Sequence, residues 1–164
     1  MKAVDYIKLT FQISKPWIMG IAADAKDIAM QSPTPVGGNH PLWCIGHLAY
    51  SDANLLSMAT GQPNALADWK DLFNAGTTPS QDASIYPSFD EVMAAYETSH
   101  TALLGYLDTI TDEDLDKPSH AEGEMKEWFG TIGACLAAMP THLGFHGGQM
   151  ADARRAAGRS PLMG

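Results

Sequence analysis

Apolar residues recur at helical spacing in four stretches of the chain, and no segment shows the alternation of a strand. In the first stretch, roughly residues 3 to 30, Val4, Ile7, Phe11, Ile18, Ile21, Ala25 and Ile28 share one face. Pro16 falls inside it and predicts a kink or a restarted helix. The Pro- and Gly-rich run 32 to 41 then reads as a loop. A second helix is predicted from Pro41 to Thr60, with Asn39 placed to cap it and Gly61 to stop it. Its inner side would carry Ile45, Leu48, Ala49, Asp52, Leu55 and Leu56. Residues 62 to 87 form a long polar connection, with one short helical turn around Trp69 to Phe73. Connections of that length are often functional.

Ser88 and Glu91 have the spacing of a capping box and open a third helix that runs to Ile110 through Val92, Tyr96, Leu103 and Leu107. A polar connection follows, with a short helix at 112 to 116. The last helix covers Thr131 to Ala157 and ends at Gly158. Four helices with a long middle connection predict an all-α four-helix bundle. The length of 164 residues fits one domain, 1–164.

Composition narrows the function. Apolar residues make up 45% of the chain and charged residues 18%, a globular balance. The net charge is −9, and the ten basic residues are scattered. Nucleic acid and anionic membranes are therefore poor partners, and small molecules or proteins better ones. No run is long and apolar enough to cross a membrane, and the N-terminus lacks the apolar core of a signal peptide. Cys44 and Cys135 form no CxxC pair. These features together predict a cytoplasmic protein. The two cysteines read as small helical hydrophobes rather than nucleophiles.

The candidate chemistry lies in histidines. His142 and His146 stand one turn apart on the last helix, on the stripe that holds Ile132, Leu136, Met139, Leu143 and Met150, and so point inward. Two such imidazoles can share one metal ion, or each can hydrogen-bond a carbonyl or carboxylate. His47, on the otherwise apolar side of the second helix, can complete a three-nitrogen site with positions left open. Gln149 is placed to bond a ligand or a group behind the site, or to serve as a plain helix-packing amide, and Trp43 and Tyr50 to pack around His47. Asp52 can orient a histidine or pair with Arg154 or Arg155. His40, His100 and His120 are expected mostly to face solvent, with His40 the one able to approach the site mouth. Pro140 should bend the last helix. Gly144, Gly147 and Gly148 weaken it but can admit a close neighbour. No catalytic residue is assigned: the sequence has no nucleophile triad, phosphate loop or HExxH glutamate.

Three segments carry a resemblance. The run Trp43 to Leu48 (Trp-x-x-x-His-Leu), the stretch ITDEDLDKP, and the final helix HLGFHGGQMADARRAAGRSP are similar to those of the DinB/YfiT-like family of metal-binding bundles. The resemblance covers nearly the whole chain. It implies an up-down-down-up bundle with a long crossover between helices 2 and 3, and His47, His142 and His146 as ligands of a divalent ion, nickel or zinc. It also implies a small electrophilic substrate and thiol S-transferase or hydrolase chemistry, in some members with a low-molecular-weight thiol. The alternative is a non-catalytic metal- or ligand-binding protein linked to stress. A homodimer through helix faces is expected.

Overall fold

The computed structural model describes residues 1–162 and is all-helical; no strand forms among the described residues. Its long helices are α1 (Ala3–Asp24), α2 (Pro41–Thr60), α3 (Phe89–Leu107) and α4 (Ile132–Ala156). Two short helices, Lys70–Phe73 and Met125–Phe129, lie in the connections. The single-domain reading of 1–164 includes residues 163 and 164, which lie outside the described residues.

Each long helix begins where a side chain satisfies its first free N–H groups. Ser88 and Glu91 form a reciprocal capping box at α3, and Thr131 accepts from Ala134 N at α4. For α1 the cap comes from far along the chain: the Asp112 carboxylate accepts from Ala3 N and Val4 N at 3.1 and 3.0 Å. At α2 the cap is His40, not the expected Asn39. The His40 Nδ1 accepts from Trp43 N at 3.1 Å, while the Asn39 amide turns to Gln149. Gly61 ends α2 at φ +73°, a conformation that costs a residue with a Cβ.

Two boundaries differ from the sequence reading. α1 ends at Asp24 rather than near residue 30, and Lys26–Ile28 follows as a 3-10 turn. The turn keeps Ala25 buried, so the inward pattern continues after the helix has stopped. The end is fastened by Arg154, which bonds the Asp24 carboxylate at 2.6 Å, and by Arg159, which bonds the same carboxylate and that of Asp27. α3 ends at Leu107, three residues early, and Ile110 still packs on the core. Both internal prolines are accommodated: α1 is continuous through Pro16 and α4 through Pro140.

All four long helices contribute to one hydrophobic cluster that includes Phe11, Leu48, Leu103, Leu136 and Met139. α2 lies against both α3 and α4, and α1 lies against α4 and more lightly against α3. Gly147 lets α1 come close, because a Cβ there would meet Ile18 Cδ1 at 2.6 Å. Gly144 and Gly148 face open space.

Candidate metal centre

His47, in the second turn of α2, meets His142 and His146 from the middle of α4. Their ligand-capable nitrogens all lie within 4.8 Å of one another. His142 Nε2 stands 2.9 Å from His47 Nε2 and 2.9 Å from His146 Nε2. His47 and His146 are buried and His142 is half-buried.

The outer nitrogens decide what the inner ones can do. His47 Nδ1 lies 2.6 Å from the Phe73 carbonyl, and His146 Nδ1 lies 2.8 Å from Gln149 Oε1. Oxygens of this kind only accept, so both Nδ1 atoms carry the hydrogen and both Nε2 atoms present lone pairs inward. The Gln149 orientation follows from its own partner, since Oε1 also accepts from Asn39 Nδ2 at 3.0 Å. A neutral His142 can place at most one hydrogen on Nε2 and can satisfy only one of the two facing lone pairs. The other lone pair would face that nitrogen with no hydrogen directed at it, and one cation shared by the three nitrogens removes that conflict. Nitrogens that share one ion at about 2.0–2.1 Å must stand no more than about 4 Å apart, and the two His142 contacts of 2.9 Å meet that limit. The donor set therefore fits a divalent ion that accepts imidazole nitrogen, with both outer ring N–H groups held as is usual for metal-bound histidines.

Electrostatics agree with neutral rings. Burial, followed by repulsion from His146 and His47, holds His142 down at about 3. Burial and the neighbouring His47 hold His146 down at about 4. His47 is also lowered by burial, against the opposing hydrogen bond that it donates to the Phe73 carbonyl. Deprotonated imidazole is the form that binds metal.

Of the other sequence candidates, Trp43 and Gln149 lie at the site and Asp52 does not. Trp43 stacks on His47 with ring centroids 4.7 Å apart and planes 8° from parallel. Its Nε1 donates to the Leu72 carbonyl and to Thr77 Oγ1, at 3.0 and 3.2 Å. Asp52 bonds His100 Nδ1 at 3.0 Å in the core between α2 and α3, and pairs with neither Arg154 nor Arg155. Two of the three remaining histidines correct the expectation of exposure. His40 and His100 are fully buried, one as a helix cap that also meets the Ser80 carbonyl, the other as the partner of Asp52. His120 is exposed. Both cysteines are buried and free, and burial pushes the Cys44 thiol far up, away from nucleophilic use.

A cavity of about 380 Å³ opens beside His47 and His142. Its wall on α2 is the stripe Ser51, Asn54, Leu55 and Met58, which repeats from His47 at helical spacing. Met139 continues it on α4. The short helix Met125–Phe129 closes one side with Met125, Trp128 and Phe129, and Asn74 and Ala75 close another. The sequence reading missed the Met125–Phe129 wall, because five residues are too few to reveal a period. It also missed the Phe73 carbonyl, for which no side-chain signal exists.

The sequence model of the DinB superfamily matches residues 19–150, a span that includes α2, α3, the cavity wall and all three histidines. The chain belongs to the DinB superfamily. No similar protein is found among curated proteins.

Proposed function

We propose that His47, His142 and His146 ligate one divalent ion, nickel or zinc, and that the chain is a metal-dependent enzyme of the thiol S-transferase or hydrolase type acting on a small electrophilic substrate. One observation carries this reading: two Nε2 contacts of 2.9 Å converge on His142 while the outer nitrogens of His47 and His146 are tied to oxygen acceptors. A divalent ion supplies Lewis acidity that lowers the pKa of a thiol or a water. The residues of the chain hold it: the Phe73 carbonyl orients His47, the Gln149 amide orients His146, and the cavity keeps a substrate beside them.

The make-up of the cavity favours thiol transfer over hydrolysis. Among the described residues no Asp or Glu lines it, so water has no carboxylate base at hand. A low-molecular-weight thiol is far more acidic than water to begin with and has less need of such a base.

The fold reading that goes with this function is a single domain built as an up-down-down-up bundle. Four sets of contacts support it. Ile18 with Gly147 and Asp24 with Arg154 align α1 with α4. Lys8 with Asp108 and Lys26 with Asp90 oppose α1 and α3. Cys44 with Gln149 and His47 with His142 oppose α2 and α4. Asp52 with His100 and Ala59 with Tyr106 align α2 with α3. No helix among the described residues is long and apolar enough to cross a membrane.

Metal analysis of protein purified without an affinity tag tests the first half. Stoichiometric nickel or zinc that is lost in His142→Ala is the expected result. A chain that arrives empty and refuses both added ions overturns the proposal. Turnover of electrophilic test compounds, with and without added thiol, tests the second half. Turnover that does not depend on thiol assigns hydrolysis instead.

A further inference from the structure

We propose that the cavity beside the histidines takes a small uncharged molecule with an apolar, aromatic-sized body and a neutral hydrogen-bonding end. The inference rests on the reading of the triad as a metal-dependent active site and names the substrate class of that site. It is carried by what lines the cavity and by what is absent from it.

The body of the cavity is apolar. Its surface is mostly apolar, Leu55, Met58, Met139, Met125, Trp128 and Phe129 line it, and methionines adapt to flat or irregular ligands. Among the described residues no Asp, Glu, Lys or Arg contributes to it. A ligand charge placed along that wall, away from the triad, would lose its hydration and gain no partner of opposite sign from the lining side chains, and burial of an unpaired charge is strongly unfavourable.

Neutral hydrogen-bonding groups are nevertheless present, and they are unused. Among the described residues the hydroxyls of Tyr50 and Ser51 and the side-chain amide of Asn74 make no hydrogen bond within the protein. Asn54 uses only its oxygen, which accepts from Asn64. Hydroxyls and amides both donate and accept, so they suit a carbonyl, amide or alcohol. Ser51 and Asn54 follow His47 along one face of α2, which puts these groups on the wall that leads to the triad.

The entrance has a fixed side. Trp128 is 77% exposed yet lines the cavity, so its indole forms the lip. The end of its short helix is held by the Ser119 hydroxyl, which donates to the Phe129 carbonyl, and by Ser119 N to the Gly130 carbonyl at 3.1 Å.

Three compounds of nearly equal shape separate the possibilities: benzamide (neutral), benzoate (anionic) and benzamidine (cationic at neutral pH). Calorimetric titration is carried out on the full chain, as purified and after removal of metal by a chelator. The stripped chain matters because benzoate can ligate an ion directly. The expected result is that benzamide binds the stripped chain about ten-fold or more tightly than either charged analogue. Trp128→Ala should weaken benzamide by about three-fold or more, and Ala138→Trp, which fills the cavity, should abolish its binding. Trp128 is so exposed that its removal spares the fold, which keeps the test sound if Ala138→Trp does not fold. A charged analogue that binds the stripped chain as tightly as benzamide overturns the proposal. So does failure of benzamide to bind, or binding that is indifferent to Trp128→Ala. Metal content is read separately: a chain that holds its ion but does not take benzamide loses the substrate class and keeps the metal centre.

Discussion

The amide oxygen of Gln149 stands 2.8 Å from Nδ1 of His146 and, on its other side, accepts from Asn39 at 3.0 Å. One side chain therefore fixes which nitrogen of His146 carries its hydrogen and ties α4 to the loop that leads into α2. Gln149→Leu removes the acceptor and should lower affinity for nickel or zinc by about 10- to 100-fold. Gln149→Glu keeps the acceptor and should retain binding. Competition with a chromogenic chelator measures both. Equal affinity in Gln149→Leu and the parent would show that His146 needs no such support.

Trp43 acts on His47 through its ring and on the connection after α2 through its Nε1. Trp43→Ala should cost about 3–5 kcal/mol of stability. It should also free the segment around Leu72 and Thr77, both of which Nε1 now holds. Urea unfolding together with limited proteolysis checks the two effects. A less stable variant with no new cleavage between residues 66 and 80 would mean that the segment is held by other contacts.

The Asp52–His100 pair makes a stability prediction unrelated to metal. Both side chains are fully buried, and Asp52 Oδ1, His100 Nε2 and the neighbouring Tyr96 hydroxyl have no partner among the described residues. Removal of one member by Asp52→Ala should destabilise the chain by about 3–5 kcal/mol, because the other is left alone in the core. Joint replacement by Asp52→Val and His100→Leu should recover most of that loss. Denaturant midpoints settle it, and additive losses in the double variant would refute it.

The site histidines give the metal-free protein an acid-sensitive stability. His142 and His146 titrate at about 3 and about 4 when folded, against about 6.5 when unfolded. Between those values the unfolded chain binds more protons, so their contribution is complete above about pH 6.5 and is lost as pH falls. Asp52 opposes them, since burial raises it and its contribution is greatest below the unfolded carboxylate value. The melting temperature of stripped protein should fall between pH 7 and pH 4, and fall less in a His142→Asn, His146→Asn double variant. Parallel profiles for the two proteins would rule the histidines out as the cause.

Much of the site was legible because helices make it so. His142 and His146 share a face by spacing alone, and the inner stripe of α4 fixed its direction. His100 was misread: it falls between Tyr96 and Leu103 on the inner face of α3 but was expected to face solvent. Polarity argued for solvent, and the tie to Asp52 won. Less accessible was anything made by the backbone. Every residue has a carbonyl, so nothing in the sequence marks Phe73 as the one that orients His47. His40 displaced Asn39 as the α2 cap because a ring nitrogen and an amide oxygen offer the helix the same acceptor. Asp112 caps α1 from across the fold, a pairing that no local pattern contains.

Phe73 has a further consequence. Its ring sits where a Cβ on Gly46 would be, 2.1 Å from the nearest ring carbon, and its carbonyl holds His47. That residue is a rivet through the long connection between α2 and α3. Chain further along the connection can change without moving the histidine, so the part of the cavity wall that Asn74 and Ala75 form can diverge while the three histidines stay put. A bundle riveted in this way can alter the mouth of its cavity without altering the arrangement of its histidines.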